Sequence, residues 1–177
     1  MIKLRVSELR ERAQELRVGE TVLLSGTVYT ARDAAHKRIV GMINNGESLP
    51  FELKNACIYY AGPTPTVPNA VCGSFGPTTA CRMDSFAPLL YDMGVVATIG
   101  KGARNKNVVN AVKNNKGLYL LAIGGAGAEA AGHITSLEEI AFLELGCESV
   151  KKLEFCDFPL IVGIDSEGND IFSAGNS

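Results

Sequence analysis

The stretch "GVVATIGKGARNKNVVNAVKNNKGLYLLAIGG", residues 94–125, decides the fold class. Its opening "GVVATIG" (94–100) is small, apolar and β-branched, and reads as a buried strand. "NKNVVNAVKNNKG" (105–117) reads as a helix ended by an Asn-Asn-Lys-Gly turn, and "LYLLAIGG" (118–125) as a second strand. Strand, helix and strand in that order imply parallel neighbours, because a parallel pair needs a crossover to bring the chain back.

The same alternation extends outward. Upstream, "ETVLLSGTVYT" (20–30) reads as a strand, "ARDAAHKRIVGMINNG" (31–46) as a helix, and "ACIYY" (56–60) as a strand closed by the loop "AGPTPTVPN" (61–69). A helix is predicted from about Pro77 to Tyr91, with proline at its first position. Ahead of these, Ser7 is placed to cap an amphipathic helix over residues 8–17, with Val6, Leu9, Ala13 and Leu16 on one face. Downstream, "AGAEAAG" (126–132) reads as a small-residue helix, and "SLEEIAFLELG" (136–146) turns acidic. "KKLEFCDFPLIVGIDSEGNDIFSAG" (151–175) reads as strands joined by a turn at 166–170, an antiparallel finish. The expectation is an α/β domain with a mixed sheet, spanning residues 1–177 as one unit without repeats or linkers.

The 177 residues carry a formal net charge of −2, with no basic run. That argues against a nucleic-acid or membrane-surface partner. No apolar stretch approaches the roughly 18 residues of a membrane span, and the charged opening "MIKLRVSELRERAQELR" lacks the apolar region of a signal peptide, so a cytoplasmic location is expected. Cysteines 57, 72, 81, 147 and 156 are odd in number and contain no CxxC, which favours reduced thiols over disulfides or a ligand set for metal.

Function is suggested at the strand-to-helix junctions. "TVYTARDAAH" puts Arg32 after the first long strand, "GPTTACRMD" puts Arg82 in the first turns of the helix opened by Pro77, and "ATIGKGARN" puts Lys101 between glycines after the third strand. In an open α/β sheet, ligands bind beyond the carboxyl ends of the strands, where helix N-termini offer free N–H groups. Three cations at such places fit a small dianion, a dicarboxylate or a phosphate ester, with arginine able to grip a carboxylate through two parallel bonds. Gly76 permits close backbone approach, and the Thr78 and Thr79 hydroxyls are placed to cap the helix or touch the guest. His36, one turn beyond Arg32, shares its face. Each arginine alone also fits local pairing, Arg32 with Asp33 and Arg82 with Asp84. A competing G-x-G-x-x-A pattern at Gly125, Gly127 and Ala130, with Glu144 downstream, falls late and lacks a following βαβ unit, so tight packing explains it better than a nicotinamide site.

Taken together, "GTVYTARDAAHKRI", "IYYAGPTP", "GPTTACRMD" and "IGKG" resemble the beta subunit, or carboxy-terminal region, of class I iron-sulfur fumarate hydratases and the related L-tartrate dehydratases. "RMD", and the Lys-Gly pair followed by Arg104, are more similar to the fumarase branch. The resemblance implies a swivelling β/β/α domain and reversible hydration of fumarate to malate. It implies a 4Fe-4S cluster held by a partner alpha subunit through three cysteines and none bound by this chain, and a hetero-oligomer, such as two copies of each chain with contacts between beta subunits. Carried over by motif, Arg32, Arg82 and Lys101 resemble the substrate-carboxylate ligands, and Thr78 the hydroxyl that takes part in proton transfer at carbon. L-Tartrate dehydratase, mesaconate hydratase and a stand-alone dicarboxylate-binding module remain the alternatives.

Overall fold

Strand β1 (Ile2–Arg5) runs parallel to β2 (Thr21–Thr30) in the computed structural model, which describes residues 1–177 apart from 65, 67, 123–126 and 174–177. Between these strands lie a 3-10 turn (Val6–Glu8), the short helix α1 (Leu9–Arg12) and a second 3-10 turn (Ala13–Glu15). The continuous helix expected over residues 8–17 is thus broken, and Ser7 is not its cap. The Glu8 carboxylate instead accepts the Arg5 N–H at 2.8 Å, because pairing of β1 forces a sharp exit from the sheet. Leu9, Ala13 and Leu16 are nevertheless buried on one face, as their spacing demands.

Buried and partly exposed residues alternate along all of β2, with Val22, Leu24 and Val28 pointing inward. A register shift falls at Gly26, whose φ of 118° suits a residue without Cβ. An added Cβ there would lie 3.3 Å from both Cβ and N of Val6, so the glycine lets the first turn close onto the strand.

The chain continues through α2 (Asp33–Asn44), β3 (Cys57–Tyr59), a 3-10 turn (Ala80–Met83), α3 (Ala87–Asp92), β4 (Ala97–Gly100), α4 (Lys106–Asn114) and β5 (Leu118–Leu121). It finishes with α5 (Gly127–Gly132), β6 (Ile134–Ala141), a 3-10 turn (Leu143–Glu148) and β7 (Val150–Ile164). Strands β2 to β5 are parallel in sequence order, while β7 is antiparallel to β2, β5 and β6. The 15 residues of β7 are enough to pair β2 along most of their length and β5 at their end, so the pairings β2–β3–β4–β5–β7–β2 form a closed ring. This is an α/β fold with a mixed sheet.

Strands β3, β4 and β5, at the centre of the parallel run, are buried on both faces. Tyr59, Ile99, Leu120 and Phe158 belong to a core enclosed by the strands, whereas Ile58, Tyr60, Met83, Leu90 and Val108 belong to a second core under the helices. One strand was not announced by the local pattern, and one expected helix needs correction. The acidic 136–146 segment contains most of β6, whose Glu138 and Glu139 pair in register with Lys152 and Lys151 of β7. The predicted helix from Pro77 to Tyr91 does not begin at Pro77: Pro77 and Thr79 form isolated bridges with Ala61 and Lys101, and helical turns start only at Ala80. Proline at the first helical position and proline in an extended bridge give the same local sequence; tertiary pairing decides between them.

Candidate functional site

The carboxyl ends of β2, β3 and β4 lie side by side, tied by Ala31 N–H to Tyr59 O (3.1 Å) and Tyr60 N–H to Ile99 O (2.8 Å). Residues 77–80 are laced onto this rim. The Thr78 N–H donates to Tyr60 O at 2.6 Å, Lys101 N–H to Thr78 O at 3.4 Å, and Ala80 N–H to Lys101 O at 2.9 Å. Thr78 is half-buried, while Thr79 and Lys101 are exposed and bridge each other. Gly76, half-buried, leads into this segment. Because the backbone groups of Thr78 are engaged in pairing, no helix N-terminus serves an anion there. What the segment offers is side chains, held on an extended backbone.

Arg32 is the N-cap residue of α2, in extended conformation. Of the first N–H groups of α2, that of Ala34 meets the Glu148 carboxylate at 3.4 Å. Arg82 extends from the 3-10 turn to the same helix, where Nε and Nη2 lie 2.9 and 2.7 Å from Asp33 Oδ2. Both groups are partly exposed. The local pairings considered from sequence are therefore crossed: Arg82 takes Asp33, and Asp84 is held by Arg104 at 2.6 Å.

Among the described residues, four buried side-chain polar atoms have no hydrogen-bond partner, and three of them, Arg32 Nε, Asp33 Oδ1 and His36 Nε2, lie in the first turn of α2. Buried polar groups are ordinarily satisfied, so the unpartnered Arg32 and Asp33 atoms make this turn a candidate site for a ligand. His36 itself needs a correction. It is fully buried against Tyr60 and Phe86 and cannot touch a guest on the rim. Its Nδ1 donates to Arg32 O at 2.9 Å, which leaves Nε2 as an acceptor; burial, the largest influence, lowers its pKa to about 4 and keeps the ring neutral. Its action on the rim is to hold Arg32.

The floor beneath Arg32 was not legible in the sequence. Arg32 Nη1 lies 4.0 Å from Cys147 Sγ. Lys151, 2 % exposed, donates through Nζ to Cys147 O (3.0 Å), Ser149 O (3.0 Å) and Ser149 Oγ (2.9 Å), fixing the 3-10 turn that presents Cys147. Burial lowers the Lys151 pKa, and no carboxylate lies within ion-pair distance among the described residues. Cys147 and Lys151 are more than a hundred positions from Arg32, and no local pattern announces their contact.

Among the described residues, no group of three His, Cys, Asp or Glu side chains could hold a metal ion. Cys57 and Cys72 are buried, while Cys81, Cys147 and Cys156 are exposed and free. A 4Fe-4S cluster needs thiolates gathered at one centre, and the described residues of this chain gather none. Gly125 of the nucleotide-like pattern lies outside the described residues. No helix of the described chain is long and apolar enough to cross a membrane.

Residues 1–175 match the family model described as Fumarase C-terminus. The chain belongs to the fumarase C-terminus family. Within it, this chain is 44 % identical over 174 residues to fumarate hydratase 2 of Leishmania major, covering 97 % of this chain and 31 % of that protein. It is 40 % identical over 169 residues to the aerobic class I fumarate hydratase of Escherichia coli K12, covering 94 % of this chain and 31 % of that protein. It is also 40 % identical to a Methanocaldococcus jannaschii protein provisionally named L(+)-tartrate dehydratase subunit beta, covering 92 % of this chain and 87 % of that one. The chain thus spans about a third of the fumarate hydratases it matches and nearly all of a subunit-sized relative.

Proposed function

We propose that this chain is the substrate-gripping part of a hydro-lyase that reversibly adds water to fumarate, giving malate, in complex with an alpha subunit that carries a 4Fe-4S cluster. One observation supports the reading: Arg32, Arg82, Lys101 and Thr78, spread over seventy positions of sequence, come from junctions at one end of the sheet, where Arg32 Nε and Asp33 Oδ1 are buried without a partner. The relatives named fumarate hydratase supply the choice of dicarboxylate.

In this reading Arg32 and Arg82 hold carboxylates through planar N–H pairs, and Lys101 adds a mobile point charge. Arg82 shares its fork with Asp33, so a substrate carboxylate takes its remaining N–H groups or displaces Asp33. The Thr78 hydroxyl, on a backbone pinned to Tyr60 and Lys101, sits where a proton is exchanged at the carbon that does not carry the hydroxyl. The cluster, when bound on the partner, supplies Lewis-acid iron for the hydroxyl group.

Anaerobic co-expression with the cluster-bearing alpha subunit tests this. Loss of fumarate absorbance by the purified complex is expected; a cluster-loaded complex inactive toward fumarate, L-tartrate and mesaconate would refute the reading. The 87 % coverage of a subunit-sized relative named for L(+)-tartrate favours one second reading, a tartrate dehydratase subunit. Relative turnover of fumarate and L-tartrate by the same complex separates the two.

A further inference from the structure

The ion pair of Arg104 and Asp84 is the buried one among the described residues, with side chains 0 % and 8 % exposed. Arg104 leaves the loop after β4 and spreads its guanidinium over three partners: Nε to Asp84 Oδ1 (2.6 Å), Nη1 to Thr98 Oγ1 (3.3 Å) and Nη2 to Tyr60 OH (3.1 Å). It lies over two rings, 5.1 Å from the Tyr60 centroid and 4.7 Å from that of Tyr119. Burial opposes its charge, but the surrounding Tyr60 and Tyr91 phenols and Asp84 outweigh that cost and push its pKa up.

The hydrogen bonds have one consistent direction. Tyr91 OH donates to Leu118 O at 2.7 Å, so its 2.7 Å contact with Thr98 Oγ1 is donated by Thr98. The Thr98 oxygen is then left to accept from Arg104. Three diverging donors in one plane, with a face on each side for an aromatic ring, are what a guanidinium provides and an ammonium does not.

Two of these partners lead directly to the rim. The Tyr60 carbonyl is the acceptor of Thr78 N–H, and Tyr119 OH donates to Gly102 O at 2.8 Å, next to Lys101. Tyr60, Ala80 and Thr78 meet around Gly100: a Cβ there would stand 2.9 Å from Tyr60 Cδ2, 3.0 Å from Ala80 Cβ and 3.4 Å from Thr78 O, so the Tyr60 ring and the 78–80 segment pack against the same glycine.

Resting on the hydro-lyase reading above for its catalytic consequence, we infer that Arg104 is a positioning residue that sets Thr78 and Lys101 through Tyr60 and Tyr119. It touches no substrate. Its planar fork fixes the two side-chain platforms on which the reacting hydroxyl and the third cation are mounted, and displacement of about 1 Å at a reacting group can cost ~100-fold in rate.

The test uses the full chain with its alpha subunit and three variants: Arg104→Lys, Arg104→Met and Tyr119→Phe. Arg104→Lys is expected to lower kcat for fumarate at least ~10-fold while KM rises by a smaller factor, since Lys101 is displaced but Arg32 is outside the network. Arg104→Lys should rescue little relative to Arg104→Met, because geometry rather than charge is lost. Tyr119→Phe leaves the ion pair intact and should lower kcat by a smaller factor, so the inference stays testable if neither Arg104 variant folds. Hydrogen exchange of the Thr78, Ala80 and Lys101 amides is the independent readout. It should accelerate at least ~10-fold in the variants while amides of the β2–β7 ladder keep their rates. Exchange at wild-type rates overturns the inference whatever the activity, and so does wild-type kcat despite accelerated exchange. An inactive wild-type complex would instead sink the hydro-lyase reading, and the exchange comparison would still decide whether Arg104 fixes these two positions.

Discussion

Arg82 and Asp33, 49 positions apart, meet across the rim through two N–H contacts to a single carboxylate oxygen, at 2.9 and 2.7 Å. The pair joins the 3-10 turn that follows Thr79 to α2, the helix whose N-cap is Arg32. It leaves Asp33 Oδ1 unpartnered. In the hydro-lyase reading, an incoming carboxylate meets an arginine already oriented by an acid.

Replacing Arg82 with lysine keeps the charge and removes the planar fork. kcat/KM for the dicarboxylate is expected to fall about 100-fold, a loss of roughly 3 kcal/mol of transition-state stabilisation. Thermal stability should stay within about 1 kcal/mol of wild type, because both side chains are partly exposed. Steady-state kinetics and thermal melts of the same preparation give both numbers; near-normal turnover would show that Arg82 does not hold substrate.

Neutral, buried His36 makes stability depend on pH. Its pKa is about 4 in the fold against an ordinary 6.5, so between those values the unfolded chain binds a proton that the folded chain does not. Its contribution is complete above about pH 6.5 and is lost as pH falls toward 4, amounting to at most about 3 kcal/mol. Urea unfolding at pH 7.5, 6 and 5 should show this decline, and His36→Gln should flatten it. An equal slope in the variant would assign the effect to other groups.

Gly62 is a close-approach glycine. A Cβ there would fall 2.4 Å from Cys147 O and 3.4 Å from Arg32 Cδ. Gly62→Ala must push away the backbone of the 3-10 turn, which carries the floor of Arg32. Destabilisation of about 1–3 kcal/mol is expected, with a raised KM for the dicarboxylate. Differential scanning calorimetry and kinetics check the pair; an unchanged melting temperature would mean that the turn yields freely.

Lys151 closes that same turn with its ammonium. Lys151→Met strips four acceptors, two of them buried, of their donor, and a loss of about 2–4 kcal/mol in urea unfolding is expected. Affinity for a dianion should fall as well, since one of two neighbouring cations is removed. A variant as stable as wild type that binds the dicarboxylate equally well would argue that Lys151 supports neither the turn nor the charge of the site.

The alternation of residue types determined much of this protein. Apolar β-branched runs, separated by helical periods and Asn-Gly turns, fix β2 to β5 as parallel strands, because only a helical crossover brings such strands together. That in turn puts Arg32 and Lys101 at the same end of the sheet. Long-range pairing decided the rest. Residues 77–79 read as a helix start but are extended, since β3 and β4 offer their backbone groups a ladder that the local sequence does not reveal. His36 reads as a rim residue but is enclosed by Tyr60 and Phe86, which approach from other elements. The partners of Arg82, Asp84 and Arg32, namely Asp33, Arg104 and Cys147, depend on which charges burial brings within reach. A chain read in order records the types of these groups, whereas their distances exist only once the ring of strands has closed.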